Sequence, residues 1–220
     1  MQASSAVDWS AVDTVLLDMD GTLLDLRFDN WFWITFIPAQ YAAANGLSEA
    51  EAIERLTPMF KKVAHTLQWY SIDYWTQQLQ LDIPALKREQ LHRVEFLPGA
   101  QEFLRRLRLS GKRAILITNS HPTTLAIKNE RVAITQYFDA CYSSYPFDAP
   151  KEHADFWPRL AQREEFSPRR TLFVDDSLYV LNSARAYGIG HLRAVRCPDS
   201  GALPQSTADF AAIDSVAELL

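Results

Sequence analysis

The sequence predicts an α/β protein built on a doubly wound parallel sheet, and three observations carry that prediction. Short apolar runs ending in polar residues recur along the chain. Helical patterns separate them, which is the alternation of a sheet covered on both faces. One long stretch, residues 26–95, favours helices throughout and breaks the alternation, so a helical insert is expected after the first strand.

Residues 12–18 form the first run, which closes on Asp18 shortly before Gly21. A strand buried on both faces reads as a near-continuous apolar run, and this segment does so. Residues 113–119, 171–176 and 191–196 repeat the pattern, and 138–143 is a weaker fifth. Helices are predicted over 98–109 closed by Gly111, over 121–137, over 152–163, and over 177–187 closed by Gly188. Glycine just past the last turn takes the left-handed conformation that ends a helix. Within the insert, Ser48 three residues before Glu51 marks a capping box, and Asn45-Gly46 closes the helix before it. Pro98-Gly99 marks the return to the sheet. The expected organisation is a core from 1–25 and 96–220 with a helical cap from 26–95.

Composition narrows the function. The 220 residues are 48% hydrophobic and 22% charged, enough to bury a sizeable core. A net charge of −5 is the opposite of a nucleic-acid-binding footprint, so no nucleic-acid partner is expected. Cys141 and Cys197 fall in no CxxC spacing, which suits a reducing, cytoplasmic compartment. The apolar stretch 31–37 is far short of the ~20 residues that span a bilayer, and no membrane partner is expected. The N-terminus lacks the basic start and apolar core of a secretory signal, so the mature chain is expected to begin near Met1. Gly188 and Gly190 follow a helical pattern with no third glycine, which argues against a dinucleotide fingerprint, and no P-loop is present. No His pair or thiolate cluster has the spacing of a zinc site.

The strongest chemical signal is Asp18-Met19-Asp20-Gly21-Thr22 at the end of the first strand. Alternate residues of an extended chain point the same way, so Asp18 and Asp20 could address one site. Open α/β sheets bind ligands at that end of the strands. Asp175-Asp176 ends another predicted strand, and two such acidic pairs repel unless a hard cation lies between them. Mg²⁺ suits that ligand set. Thr118-Asn119-Ser120 precedes the helix expected near His121, where a hydroxyl and free backbone N–H groups can hold phosphate. Lys151 precedes the helix expected near Glu152 and can neutralise charge on a phosphate and a carboxylate. A lysine beside the positive end of a helix is poorly placed for stability alone, which favours a functional role. Plainer readings stand beside these. Asp175 or Asp176 could cap the helix near Ser177, which explains one of them, and Trp31, Trp33, Trp69, Tyr74 and Trp75 could simply form the core of the insert.

Taken together, Asp18-Met19-Asp20-Gly21-Thr22, Thr118-Asn119, Lys151 and Asp175-Asp176 resemble, in order and position, the four motifs of the haloacid dehalogenase superfamily of phosphohydrolases. The resemblance implies that family's Rossmann-like core with a helical cap closing over the substrate. It implies that Asp18 is the nucleophile forming an aspartyl-phosphate, that Asp20 is general acid and then base, and that Lys151 supports the reacting charge. It further implies Mg²⁺ held by Asp18, the backbone carbonyl of Asp20, and Asp176, with Asp175 acting directly or through water, and phosphate held by Thr118 and Asn119. The dehalogenases of the superfamily lack the carboxylate found here as Asp20, which favours phosphate chemistry. The insert resembles the cap of bacterial purine 5′-nucleotidases acting on GMP and IMP, which marks His65, Trp69, Tyr70 and Asp73 as candidate substrate contacts. The expected partner is a small phosphomonoester, a purine nucleoside monophosphate, bound by a monomer or weak homodimer. A sugar-phosphate phosphatase or phosphomutase of the same superfamily, and a catalytically silent binding module, stay open as alternatives.

Overall fold

The computed structural model describes residues 6–219, so the expectation about Met1 lies outside the described residues. Strand β1 (Thr14–Leu17) is followed by the helical stretch α1 (Arg27–Trp31), α2 (Ile37–Asn45), α3 (Glu49–Val63), α4 (Leu67–Tyr70), α5 (Ile72–Leu79) and α6 (Ile83–Glu89). The chain then alternates through α7 (Ala100–Leu109), β2 (Arg113–Thr118), α8 (Pro122–Val132), β3 (Ala140–Ser143), α9 (Phe156–Arg163), β4 (Thr171–Asp175), α10 (Leu178–Tyr187), β5 (His191–Val195) and β6 (Ala212–Ile213). The strands form one sheet in the order β3-β2-β1-β4-β5-β6, with every neighbouring pair parallel. The order reverses beside β1, and a reversal of that kind leaves a crevice at the carboxyl ends of the strands.

Side chains alternate across a strand, and the two faces of this sheet bury separate cores. Val15 and Leu17, with Leu116 and Val174, pack against Phe103, Leu104 and Leu107 of α7 and Ile127 of α8. Leu16, Ile115, Ile117 and Phe173 pack on the other face against Phe156, Trp157 and Leu160 of α9 and Leu181 of α10. The first core continues into the helices after β1 through Phe28, Phe32, Leu56, Ile72 and Trp75. There Trp75, only 1% exposed, meets Phe60 at 5.0 Å and Trp33 at 5.9 Å between ring centroids, so aromatic residues do build a core for the insert. Residues Phe32–Phe36 are wound as a π-helix between α1 and α2.

Several boundaries differ from expectation for local reasons. Gly99, with φ 77°, turns the chain into α7, so that helix begins two residues later than predicted. α8 ends at Val132 because Ala133 is left-handed at φ 46° and the Asn129 side chain accepts from the Thr135 N–H at 3.0 Å. Residues 151–155 form turns, and α9 starts only at Phe156. β6, two residues long, is too short to give a sequence signal. The capping box is present: the Ser48 N–H donates to Glu51 Oε2 at 2.8 Å and the Glu51 N–H to Ser48 Oγ at 3.3 Å. Gly46 closes α2 at φ 64°, and Gly188 closes α10 at φ 103°. No helix among the described residues is long and apolar enough to cross a membrane.

Candidate active site

The sheet register sets the site. Leu17 pairs with Leu116 on one side and Val174 on the other, so Asp18, Ile117 and Asp175 stand at one level across three strands. The Asp18 N–H extends the ladder to the Val174 carbonyl at 3.1 Å. Lys151 reaches that level from the loop before α9. Its ammonium, 2% exposed, donates to Asp18 Oδ1, to Asp175 Oδ2 at 2.7 Å and to the Ile117 carbonyl at 3.2 Å. The lysine is anchored by its own backbone: its N–H donates to Asn119 Oδ1 at 2.9 Å, and its carbonyl accepts from Trp157 Nε1 at 3.1 Å. Because α9 begins at Phe156, Lys151 does not sit at the positive end of a helix. Its charge is set by carboxylates: burial works against the ammonium, and Asp175 and Asp18 outweigh it and raise its pKa.

Asp18, Asp175 and Asp176 each place a carboxylate oxygen within 4.8 Å of the others. Burial raises all three pKa values. For Asp18 the rise reaches about 6, with Lys151 opposing it and the Asp175 charge adding to it. Asp175 is raised against the pull of Lys151, and Asp176 well above the usual range with Asp175 and Asp18 contributing. Three clustered carboxylates with one ammonium, paired to Asp18 and Asp175, leave excess negative charge in a largely buried place, which a divalent cation would offset. The donors are all oxygen, which fits a hard cation such as Mg²⁺. Gly21 shapes the same cradle: at φ +86° it packs so closely that an added Cβ would lie 2.7 Å from Asp176 Oδ2. The capping reading is not met by Asp175: its Oδ1 accepts at 2.8 Å from the N–H of Ser177, the residue before α10, and not from a free N–H of the helix's first turn.

Asp20 lines the same cleft as Asp18, but its carboxylate is held apart from the acidic cluster. Ser120 Oγ donates to Asp20 Oδ2 at 2.7 Å, and Lys128 Nζ lies 2.6 Å from Oδ1. Thr118 is 2% exposed, and its hydroxyl accepts from the Ser120 N–H at 3.0 Å. Asn119 bridges two loops, donating to Glu152 Oε2 at 2.8 Å while accepting from Lys151. α8 starts at Pro122, with His121 at its N-cap.

These residues open into a cleft of about 420 Å³. Its opposite wall carries Trp33, Ile34, Phe60, Trp69 and Ile72 from the insert. Of the four candidate substrate contacts, Trp69 and Tyr70 line the cleft, and His65 and Asp73 are not part of its lining. Tyr70 Oη donates to Glu152 Oε1 at 3.1 Å, and burial together with that carboxylate raises the phenol pKa. The His65 side chain is 57% exposed, 4.0 Å from Glu152 Oε1. Asp73, 68% exposed, lies 3.6 Å from His121 Nε2.

Sequence reasoning missed Lys128, Lys87 and Glu152, and it placed Ser120 in the phosphate-holding segment without its contact to Asp20. Lys128 is 1% exposed and Lys87 2%. Each lies one helical turn after an inward residue, Thr124 for Lys128 and Ile83 for Lys87, and a lysine on an inward face is the signal that could have found them. Both meet Asp29, a polar residue among aromatics in the sequence. Burial opposes its charge, yet Lys128 and Lys87 hold its pKa down at about 2.

Comparison with known proteins adds four findings. The family model of the haloacid dehalogenase-like hydrolases matches residues 12–188. Over 195 residues the chain is 44% identical to the GMP/IMP nucleotidase YrfG of Escherichia coli (strain K12), covering 89% of this chain and 88% of that protein. In structure it is similar to a HAD phosphatase from Thermococcus onnurineus, with TM-score 0.77 and 21% identity over 94% of this chain and 95% of that one. It is also similar to the L-2-haloacid dehalogenase of Xanthobacter autotrophicus, with TM-score 0.58 and 16% identity over 94% and 96%. At those identities the two structures speak for the fold alone.

Proposed function

The chain belongs to the haloacid dehalogenase-like hydrolases, and from that premise we propose that it is a Mg²⁺-dependent phosphomonoesterase hydrolysing GMP and IMP through an aspartyl-phosphate on Asp18. The observation that carries this reading is a single cleft whose floor is Asp18, Lys151 and the acidic cluster and whose wall is aromatic. The activity of the 44% identical relative agrees with it.

In this reading Asp18 attacks phosphorus while Lys151 shields the approaching negative charges. Asp20 gives its proton to the leaving 5′ oxygen and then takes one from the water that cleaves the aspartyl-phosphate. Thr118 and Asn119 hold the phosphoryl oxygens. Asp18, Asp175, Asp176 and the Asp20 carbonyl would hold Mg²⁺, which when bound supplies the positive charge that lets phosphate approach a carboxylate. Trp69 and Tyr70 offer faces to a purine, and stacking of that kind contributes roughly 1–3 kcal/mol per base.

The helical stretch 26–95 acts as the cap that closes over the nucleotide. Supporting this, it touches the core loops through Tyr70 to Glu152 and through Tyr145 to the Leu67 carbonyl. Cys141 and Cys197, both free thiols, suit a cytoplasmic setting. The apolar stretch around Trp31 buries Phe32 and Ile37 fully while leaving Ile34 68% exposed, which suits a monomer or weak homodimer.

The test is phosphate release from a panel of nucleoside monophosphates, sugar phosphates and an aryl phosphate, with Mg²⁺ and with chelator. Chelator-sensitive activity strongest on GMP and IMP is expected. Activity spread over sugar phosphates would keep the Asp18 chemistry and discard the purine assignment, and activity that survives chelation would discard the metal.

A further inference from the structure

Four charges of alternating sign, two buried lysines and two aspartates 18% exposed to the cleft, run from the insert into the core. Lys87 Nζ on α6 lies 3.1 Å from Asp29 Oδ1 on α1. Lys128 Nζ on α8 lies 2.5 Å from Asp29 Oδ2 and 2.6 Å from Asp20 Oδ1. Ser120 Oγ holds the remaining oxygen of Asp20 at 2.7 Å. The two lysine side chains are 3% and 2% exposed, and the Phe28 ring lies 5.0 Å from one ammonium and 5.8 Å from the other.

Burying two ammoniums against partly covered carboxylates is a poor route to stability, because desolvation offsets much of the attraction and apolar residues of the same volume would do as well. What the row does achieve is placement. A lone Asp side chain rotates about two bonds, whereas Asp20 has one oxygen fixed by Lys128 and the other by Ser120. Lys128 is itself fixed from its far side by Asp29, which Lys87 holds in turn. Two of the four members, Asp29 and Lys87, belong to the insert.

We propose that Lys128 is a positioning residue for Asp20, and that Asp29 and Lys87 complete the hold, so that insert and core together set where the Asp20 carboxyl stands. This rests on the assignment of Asp20 as the proton donor. In that step the bond from Asp18 to phosphorus forms and the bond from phosphorus to the 5′ oxygen breaks. The electron pair of the broken bond goes to that oxygen, which takes the Asp20 proton. A carboxyl displaced by about an ångström fails to meet the oxygen as charge develops, and errors of that size cost on the order of 10²-fold.

The experiment exploits the leaving group. A nucleoside alkoxide needs the proton, whereas p-nitrophenolate leaves nearly without it. The quantity compared is kcat/KM for GMP against kcat/KM for p-nitrophenyl phosphate in the wild type, Asp20→Asn, Lys128→Met and the double variant Lys128→Met/Asp29→Asn. The double variant removes one charge of each sign, so it keeps the row neutral if the single change impairs folding. Asp20→Asn is expected to lose about 10² or more on GMP and much less on the aryl ester. Lys128→Met, or the double variant, is expected to lose about 10- to 100-fold more on GMP than on the aryl ester. Equal losses on both substrates, or none, in the lysine variants while Asp20→Asn shows the split would overturn the positioning role alone. Absence of the split in Asp20→Asn would overturn the proton-donor assignment, and the positioning role with it.

Discussion

At Gly21 the backbone takes φ +86°, and a Cβ there would lie 2.7 Å from Asp176 Oδ2 and 3.1 Å from Pro198 Cβ. Left-handed backbone costs a residue with a side chain roughly 1–2 kcal/mol, and the clash comes in addition. Gly21→Ala is therefore expected to lower stability by at least that amount and to raise the Mg²⁺ concentration needed for half-maximal activity, as denaturant titration and a Mg²⁺ titration of rate would show. Asp29 makes a separate prediction. Its pKa is about 2 in the folded protein against an ordinary 3.8, so the folded state releases its proton more readily than the unfolded chain. The resulting stabilisation is present above pH 4 and lost as pH falls toward 2. The stability gap between wild type and Asp29→Asn should narrow over that range in urea unfolding. A gap that stays constant with pH would show that Lys128 and Lys87 do not hold the carboxylate. Residue types at the site were largely legible, since Asp18, Asp20, Thr118, Asn119, Lys151, Asp175 and Asp176 all line one cleft. Lys128 was not legible, because its meaning depends on Asp20 and Asp29 meeting it from distant positions in the chain.

Among the elements, α3 shows where local sequence suffices. Its capping box involves only Ser48 and Glu51, three residues apart, and both expected hydrogen bonds form. Ser48→Ala should cost about 1 kcal/mol in equilibrium unfolding. Activity should be unchanged at temperatures where the insert stays folded, and a loss of kcat with no loss of stability would contradict a purely capping role. α9 shows the opposite case. Residues 151–155 have a composition compatible with helix, yet they are turns, and the Lys151 N–H is taken by the Asn119 side chain. That bond joins residues 32 apart in sequence, so no local pattern announces it. The consequence is chemical: the loop delivers the lysine into the carboxylates at the strand ends, away from the start of a helix.

Over the whole molecule, the parallel order places β1 between β2 and β4, so Asp18 and Asp20 after β1 and Asp175 and Asp176 at the end of β4 share the cleft with the polar Thr118, Asn119 and Ser120 after β2. Lys151 comes from the loop after β3, and Asp29 and Lys87 from α1 and α6. The metal-free protein then carries three close carboxylates against Lys151, a repulsion that a bound dication removes. Mg²⁺ should raise Tm, since a ligand present at 100 times its Kd stabilises by about 2.7 kcal/mol. The rise should be lost in Asp176→Asn, measured by thermal melts with and without the metal. A wild-type Tm indifferent to Mg²⁺ would argue that the acidic cluster holds no divalent ion.

The sequence by itself determined the parallel sheet, the run of helices after β1 and the acidic motifs at strand ends, because each is written in patterns a few residues long. Apolar runs mark strands buried on both faces, and motif residues follow directly where those runs stop. Only the tertiary structure decided which charges share an environment. Asp20 stands with Lys128 and Asp29, Lys151 with Asp18 and Asp175, and Trp69 and Tyr70 face the cleft that His65 and Asp73 do not line. The physical reason is that pairing inside a protein is set by burial and distance, and both are fixed by packing between elements that lie far apart along the chain.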